Sequence, residues 1–499
     1  MSQRRGEESG CSSRVSTPLS AAHDESRPKA SCPPPPPSSR RPSWPPPPPK
    51  LEPPLPCAEV AFRYPYHMPV GRRSATIQRV EASLPGITGK ARPAGLDDVR
   101  APLVVTIGPY YRGAYGPDWS RLHLMEEAKH AALEEFGRVS NQPREALQEK
   151  ILSVAASARK CYRGDRMVNS YYANSVDEGD RNFAEMLLLD GCFLLQFMVS
   201  MCPDDPKAPA ELDPLMSRAE VHSCIDAIAR DVMLFENQIP WLVLEALMEL
   251  RPGVPVDRFL TLMASAFQAG NDDSTDPKAQ HDHDDHHHNK PPHLLGLFHR
   301  RQIGTARTQS LLVPKLSSLS TTAVELAEMG VKLTAGKTKK FGDMSMANRQ
   351  WRGLGLFGEL SLAPVVLNDL TACWLINMAA YEACVSATQA DNFAVSSYIS
   401  VVALLVNREE DVQELRGKGI INSAMSDMGT LEFFKWAAPH LRVGHRYYEV
   451  FRGLQEYRQR WAWMAVHRFL YKNYKTIGAV LSIIGVLAGL FKTILSLKQ

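Results

Sequence analysis

Three polar side chains, Glu236, Asn237 and Gln238, interrupt an otherwise apolar stretch of the chain. They lie immediately before Pro240, within the segment from Ile228 to Leu250. A buried carboxylate beside amides is able to act as a general acid or base. Pro240, however, has no N–H to donate, so the carbonyl of Glu236 loses its usual helical partner and neighbouring polar side chains can satisfy such groups. Because no base or nucleophile stands at a recognisable spacing, the pattern favours a structural polar kink over a catalytic site.

Asp190 is the second candidate carboxylate, and it lies in the stretch FAEMLLLDGCFLLQFMV. This stretch is apolar nearly all round, yet it is too short and too polar to span a bilayer, so it predicts a core helix. A buried carboxylate there is either a tuned general acid or an ion-pair partner of Arg159, Lys160 or Arg230. We predict the structural role, and an enzyme that uses Asp190 and Glu236 remains the alternative.

A His-rich segment over residues 271–293 breaks every hydrophobic period and predicts a mobile surface insertion. Its clustered histidines are His281, His283, His286, His287 and His288. Neutral imidazole is a good ligand for zinc and nickel, so a metal-binding protein is a further alternative. Physiological sites place their ligands on defined elements with supporting hydrogen bonds, which this segment lacks. We therefore predict no metal and no cofactor.

The familiar enzyme motifs do not occur in this chain. GVKLTAGKT ends like a phosphate-binding loop, but Val331 occupies a position where that loop requires a small residue. GLGLFG has a dinucleotide-like glycine spacing without a strand–helix–strand context. No G-x-S-x-G, HExxH or CxxC motif is present either. The sequence thus indicates a protein that is not an enzyme.

Composition narrows the class of protein further. The 499 residues include 57 Lys and Arg against 54 Asp and Glu, and this balance does not indicate a nucleic-acid partner. Nine cysteines are scattered without a paired framework, which is typical of reduced thiols inside a cell. Hydrophobic residues make up 44% of the chain, enough for a sizeable core.

The chain divides into regions of different composition. Residues 1–57 hold two five-proline runs and predict a disordered tail. Residues 58–470 show mostly helical periods, with few strand candidates such as PLVVTIG around Val104, and predict a mainly α, multi-helix globular domain. The His-rich insertion interrupts this domain.

An apolar segment from Ile477 to Leu497 follows the predicted domain. Its 21 residues carry one charge, Lys492, close enough to the end to reach the lipid surface. Basic residues precede it, so the domain is expected to face the cytosol. We predict a single-pass C-terminal anchor, in the plasma membrane by preference and in the endoplasmic reticulum otherwise. An amphipathic surface helix or a docked core helix is the alternative.

Several stretches, taken in order, resemble the plant proteins that carry the domain of unknown function 247. They include VVTIGPYYRG, LHLMEEAKHAALEEF, FAEMLLLDGCFLLQF, IARDVMLFENQIPWLVLEAL and VSSYISVVALLVNREEDVQELRGKGII. The resemblance covers residues 77–499, although this chain has Tyr111 where the family commonly has His. It implies a mostly helical, membrane-associated plant protein without established enzymatic activity, and some grass members are linked to pollen recognition. The expected function is therefore that of a membrane-anchored interaction or recognition protein with an unknown protein partner.

Overall fold

The computed structural model describes residues 77–80, 84, 87, 93, 98–112, 120–162, 176–203, 213–268, 291–304, 321–351, 355–384, 393–461 and 482–489. All of them belong to one compact unit, Leu55–Gln499. The predicted proline-rich tail lies outside the described residues. So do the five clustered histidines of the predicted insertion.

Helices dominate the described part of the chain, as predicted. Those before residue 305 are α1 (Ser120–Ser140), α2 (Arg144–Arg159), α3 (Val176–Met201), α4 (Ala219–His222), α5 (Ile225–Asp231), α6 (Trp241–Leu250), α7 (Val256–Ser265) and α8 (Leu294–Ile303). Those after it are α9 (Ala323–Glu328), α10 (Asp369–Cys384), α11 (Ala394–Leu405), α12 (Glu409–Gly417), α13 (Asp427–Ala437), α14 (445–461) and α15 (482–489).

Helix α3 is the centre of the first half of the domain. It packs against α1, α2, α6 and α7, and each neighbour contributes an apolar stripe. On α2, for example, Leu147, Ile151, Ala155 and Ala158 recur at helical spacing and are all buried. Because α3 is apolar nearly all round, it needs such neighbours on every side, and the prediction of a core helix is confirmed.

Among the described helices, one is long and apolar enough to span a membrane, and it is Gly179–Met201 within α3. In its most apolar window 83% of the residues are buried inside the fold, since protein neighbours surround it. This helix is internal, whereas the sequence places the long apolar helix at the C-terminus. Of the predicted span over 477–497, the structure describes only α15, whose eight residues are all exposed. The C-terminal anchor therefore stays a prediction.

Strands are few and short in the second half of the domain. They are β1 (Val331–Ala335), β2 (Ser345–Trp351), β3 (Gly355–Leu362), β4 (Val365–Leu367) and β5 (Ile421–Ser423). In the three-stranded sheet, central β3 pairs in parallel with β1 and antiparallel with β2. Strands β4 and β5 form a separate parallel pair. Helix α14 packs closely on the larger sheet, because Gly453 leaves room for Met346 and Gly358 leaves room for the ring of Tyr457.

The segment 228–250, for which the sequence predicts a helix that kinks or restarts at Pro240, forms two separate helices. Helix α5 ends at Asp231, helix α6 begins at Trp241, and residues 232–240 between them are not helical. Pro240 has φ −61° and ψ 139°, an extended conformation directly before the first helical residue of α6. Pro240 cannot donate to the carbonyl of Glu236, and the first helix has already ended at Asp231, so the polar triplet lies in a break of nine residues, 232–240.

Asp411 joins two helices of the second half. One carboxylate oxygen accepts hydrogen bonds from the backbone N–H groups of Asn407 and Arg408, both at 3.0 Å, at the start of α12. The other accepts from the N–H of Val324 at 3.1 Å, at the start of α9. Burial alone raises the pKa of the Asp411 carboxyl, but these donors outweigh it and hold the pKa below its usual value.

We expect Asp411→Asn to destabilise the protein in a pH-dependent way. A lowered folded-state pKa contributes stability above the unfolded value of about 3.9, and this contribution is lost as the pH falls through the folded value. The difference in unfolding free energy between the wild type and Asp411→Asn should therefore be largest at pH 7 and shrink towards pH 3. Urea titrations across this range measure it. Exposed Asp226→Asn is the control and should change stability by less than about 0.5 kcal/mol at every pH.

Candidate functional site

The segment from Val104 to Gly108 is buried and has no strand partner among the described residues, although its sequence predicts a strand, and Leu103 before it is exposed. The side chain of Asp231 accepts the backbone hydrogen bonds that a neighbouring strand would otherwise accept. Its carboxylate accepts hydrogen bonds from the N–H groups of Leu103, Val104 and Val105 at 2.8–3.0 Å. Arg230, at the same helix end, pairs with the other side of the carboxylate at 2.9 Å.

The side chain of Asn237 satisfies backbone groups further along the same segment. Its Oδ1 accepts from the N–H of Ile107 at 2.6 Å, and its Nδ2 donates to the carbonyl of Val105 at 3.0 Å. An amide side chain offers one donor and one acceptor group, as a strand residue does, so it can satisfy both groups of its neighbour. The same Nδ2 donates to the carbonyl of Asp231 at 2.9 Å, which the end of α5 leaves without a helical partner.

Asp190 completes the far end of the segment together with Lys129. The carboxylate accepts from the N–H of Gly108 at 2.8 Å and forms an ion pair with Lys129 at 2.8 Å. The Lys129 ammonium is fully buried and also donates to the carbonyl of Thr106 at 2.6 Å. Both charges are thus paired and hydrogen-bonded, the arrangement that burial of a charge requires.

The cations beside Asp190, Lys129 at 2.8 Å and Arg112 at 3.8 Å, differ from the predicted ones. Arg159 pairs instead with Asp180, and Arg230 pairs with Asp231, because each stands next to those carboxylates in the fold. Lys129 was missed. Its sequence signal is its place between Met125 and Ala132 on the apolar face of α1, where a solvated lysine is not expected.

Glu236 lies 3% exposed and uses both carboxylate oxygens. Oε1 accepts from the N–H of Val80 at 2.7 Å, while Oε2 accepts from Arg79 at 3.0 Å and from the hydroxyl of Tyr111 at 2.6 Å. Burial raises the pKa of Tyr111, and the neighbouring Glu236 charge raises it further. Tyr111 therefore stays protonated and acts as a donor.

The side chain of Gln238 forms hydrogen bonds with backbone groups of the break between α5 and α6. Its Nε2 donates to the carbonyls of Val232 and Leu234 at 2.8 and 2.9 Å. Its Oε1 accepts from the N–H of Leu295 at 3.0 Å, in the first turn of α8. The side chain thereby supplies partners to backbone groups that the interrupted helix leaves open.

We call these five side chains the polar clamp: Asp190, Asp231, Glu236, Asn237 and Gln238. All are 3% exposed or less, and their polar atoms face backbone groups, Tyr111 or cations of the protein. Burial raises the pKa of the Asp231 carboxyl, although three backbone donors and Arg230 oppose the shift. Raised carboxyl pKa values also mark catalytic acids, but such acids need access to a substrate.

A surface cavity of about 570 Å³ lies elsewhere, where α1 turns into α2. Its lining includes His130, Glu134, Arg138, Asn141 and Arg144, and it contains no residue of the polar clamp. The ion pairs of Arg138 with Glu135 and of Arg144 with Glu185 already engage its two guanidinium groups. The geometry does not bring the candidate carboxylates and this cavity together.

The described residues contain no group of three or more His, Cys, Asp or Glu side chains arranged to hold a metal ion. The last residue of the predicted insertion, His293, is fully buried rather than on a mobile surface. Its Nδ1 accepts from the N–H of Gly296 at 3.1 Å, so it caps helix α8. Pro292 also accepts a hydrogen bond, through its carbonyl, from the N–H of Trp241 at 2.8 Å.

Sequence reasoning also missed a further buried carboxylate, Glu382. It forms a 2.8 Å contact with His299 of α8 and accepts from the N–H groups of Val395 and Ser396 at 2.9 Å. The hydroxyl of Ser396 donates to it at 2.6 Å. Glu382 thus caps α11 from α10, and an acidic residue inside the apolar run MAAYEAC is the signal that could have found it.

The fold and the clamp define a mainly helical domain whose irregular segments are held by buried polar side chains. Residues 95–488 match the family DUF247, described as plant protein of unknown function, and the chain belongs to this family. A relative from Arabidopsis thaliana, named UPF0481 protein At3g47200, is 25% identical over 417 residues. That alignment covers 78% of this chain and 79% of the relative. No solved structure matches the chain.

Replacing Asn237 with Leu should destabilise the fold strongly. The change leaves the carbonyl of Val105 and the N–H of Ile107 buried without this partner, and each such group costs about 1–3 kcal/mol, whereas the carbonyl of Asp231 still accepts from the N–H of Leu234. We expect a loss of about 3 kcal/mol or more in urea unfolding. Asn422→Leu, at an exposed position of β5, is the matched control and should change stability by less than about 0.5 kcal/mol. An unchanged melting temperature of Asn237→Leu would refute the structural role.

Gly108→Ala should be more harmful than Gly253→Ala. Both glycines have positive φ, 76° and 92°, so alanine is strained at either position. Only at Gly108 would the new Cβ also meet a backbone atom, the carbonyl oxygen of Gln238, at 2.6 Å. A Cβ added at Gly253 would have no such neighbour within 4 Å. Thermal unfolding of the two variants isolates the cost of this close approach, and equal melting temperatures would contradict it.

Proposed function

We propose that this protein is a non-enzymatic interaction protein of plants that is anchored to a membrane by its C-terminal segment. Helix α15 is the observation that carries the proposal. All eight of its residues are exposed, and Ile483, Ile484, Val486 and Leu487 expose 55–64% of their surface. Full burial of one such side chain is worth about 1.5–3 kcal/mol, so a lipid environment stabilises this helix where water does not.

The charges before this segment support a cytosolic domain. Arg452, Arg458 and Arg460 of α14 are exposed, and further basic residues follow in the sequence before residue 477. Basic residues on one flank of a span favour retention of that flank on the cytosolic side. The plasma membrane is the preferred location in this proposal, and the endoplasmic reticulum is the second.

The polar clamp supports the non-enzymatic part of the proposal. Asp190 and Glu236, the carboxylates that an enzyme would use, already accept hydrogen bonds from the backbone of the protein itself. A general acid or base must instead reach the proton of a substrate. Burial likewise raises the pKa of the Cys192 thiol, which keeps it protonated and unreactive. Recognition of a protein partner by the surface of the helical domain is the function that remains.

Alkaline carbonate extraction tests the anchor. We expect the full chain to stay in the membrane pellet and a chain truncated after Tyr474 to appear in the supernatant. Lysine costs about 2.5–3.5 kcal/mol at the centre of a spanning helix, so the double variant Ile484→Lys, Leu487→Lys should also be extracted. The control is Met428→Lys, which adds the same charge at an exposed apolar residue of α13 and should remain in the pellet. A soluble full-length chain would overturn the proposal.

A further inference from the structure

The surface cavity between α1 and α2, which we call the elbow cavity, is a cleft between two helices. Its volume of about 570 Å³ falls within the range of about 300–1,000 Å³ that is typical of small-molecule sites. His130, Glu134 and Arg138 line one wall, and their spacing of four residues places them on one face of α1. The first turn of α2 forms the opposite wall through Arg144 and Leu147.

The shape of the elbow cavity is fixed by the backbone that joins the two helices. Asn141 follows the last residue of α1 in a left-handed conformation, with φ 51°. The N–H of Gln142 donates to the carbonyl of Gly137 at 3.1 Å, which is the hydrogen bond of a Schellman cap. Pro143 is extended directly before the first helical residue of α2. Because the walls are fixed in this way, a ligand does not have to order the cavity when it binds.

Polar side chains converge on the elbow cavity without hydrogen bonds of their own. Within the described part of the chain, the side chains of His130, Asn141 and Gln142 form no hydrogen bond with the protein. The side chains of the polar clamp, in contrast, face backbone groups of the fold. Leu133 and Leu147 lie beneath these polar groups and are buried. An apolar floor below polar groups with open hydrogen-bonding capacity is the usual form of a ligand site.

The two arginines of the cavity retain donors despite their ion pairs. Arg138 donates to Glu135 through Nε and Nη2, so its Nη1 group is left for a ligand. Arg144 donates to Glu185 through Nη2, and its Nε and Nη1 groups form no hydrogen bond with any described residue. The side chains of Arg138 and Arg144 are 71% and 50% exposed. Ion pairs this exposed contribute little, so they compete weakly with a bound anion.

The balance of donors and acceptors determines the chemistry of the ligand. A guanidinium group only donates, and the amides of Asn141 and Gln142 together with a ring N–H of His130 add further donors. Among the described residues that line the cavity, Glu134 is the one acceptor-only side chain. A carboxylate or a phosphate group supplies the acceptors that such a lining requires, and arginine binds either group with two parallel hydrogen bonds.

We propose that the elbow cavity binds a small organic oxyanion, either a carboxylate or a phosphate monoester, whose apolar body lies against Leu133 and Leu147. Its anionic group is held by Arg138 and Arg144. This inference goes beyond the membrane anchor and the protein recognition proposed above, because it adds a small-molecule ligand to the helical domain. Carbonate extraction does not depend on the cavity, so the anchor and the ligand site are judged separately.

Calorimetric titration of the full chain in detergent tests the site with probes that share a phenyl body. We expect benzoate and phenyl phosphate to bind saturably, and uncharged benzyl alcohol to bind at least tenfold more weakly. The ratio of the two anion affinities shows whether a carboxylate or a phosphate is preferred. Inorganic phosphate should bind at least tenfold more weakly than phenyl phosphate, and equal affinities would overturn the apolar part of the site.

Substitutions in the lining assign the contacts. Arg138→Ala and Arg144→Ala should each weaken the preferred anion at least tenfold, whereas Arg452→Ala, at an exposed position of α14, is the matched control and should leave its affinity unchanged. Asn141→Gly removes the amide but tolerates the left-handed backbone, so we expect at least threefold weaker binding at an unchanged melting temperature. No saturable binding of either anion, or an affinity that both arginine variants leave unchanged, would overturn the proposal.

Glu134→Gln changes binding in the opposite direction. The Glu134 carboxylate repels an anion in the same cavity, so its neutralisation should strengthen binding of the preferred anion at least threefold. A general loss of structure cannot produce tighter binding, and weaker binding by a variant that keeps its melting temperature would contradict an anionic ligand. The four substituted lining residues are exposed, so the variants are expected to fold.

Discussion

The fold depends on side chains that form hydrogen bonds with the backbone of one buried segment, where a neighbouring β-strand would otherwise do so. Residues 104–108 run through the interior without a strand partner among the described residues, and an unpaired backbone group there costs free energy. A sheet would satisfy these groups by repetition, whereas here Asp231, Asn237, Asp190 and Lys129 each satisfy particular ones. This solution requires four side chains from three elements at fixed positions. It therefore ties α1, α3 and the break between α5 and α6 to one another.

The same break connects the two halves of the domain. Gln238 reaches the start of α8, and the amide of Asn377 in α10 accepts from the N–H of Phe235 at 2.8 Å. Its Nδ2 group donates to the carbonyl of Val99 at 2.8 Å, so α10 contacts both the break and the segment leading into residue 103. Nonhelical backbone at 232–240 is thus the junction at which first-half and second-half elements meet. A regular helix there would present no free backbone groups to join.

Local patterns in the sequence predicted the helical class, the buried position of α3 and the family. The sequence also predicted that Asn237 and Gln238 satisfy backbone groups because Pro240 removes a donor next to them, whereas the groups that Asn237 contacts belong to Val105, Ile107 and Asp231. Three features lay beyond such reasoning. Lys129, which pairs with Asp190, is 61 residues away, the strand-like segment around Val104 is satisfied by side chains instead of a sheet, and the helix that restarts at Trp241 is preceded by a break that begins after Asp231. Each of these three features depends on which residues far apart in the sequence come into contact. Hydrophobic periodicity within a short window carries no information about such contacts.

The long separation between clamp partners has a consequence for synthesis of the chain. The N–H of Ile107 and the amide of Asn237 are 130 residues apart, so the extended apolar segment leaves the ribosome well before its partner exists. At about 5–20 residues per second, the interval is on the order of 10 s. Throughout that time a β-prone stretch with open hydrogen-bonding groups is accessible to other nascent chains and to chaperones. The Asn237 amide, which pairs with Ile107 in the folded protein, therefore also ends the period in which the Ile107 N–H lacks its native partner.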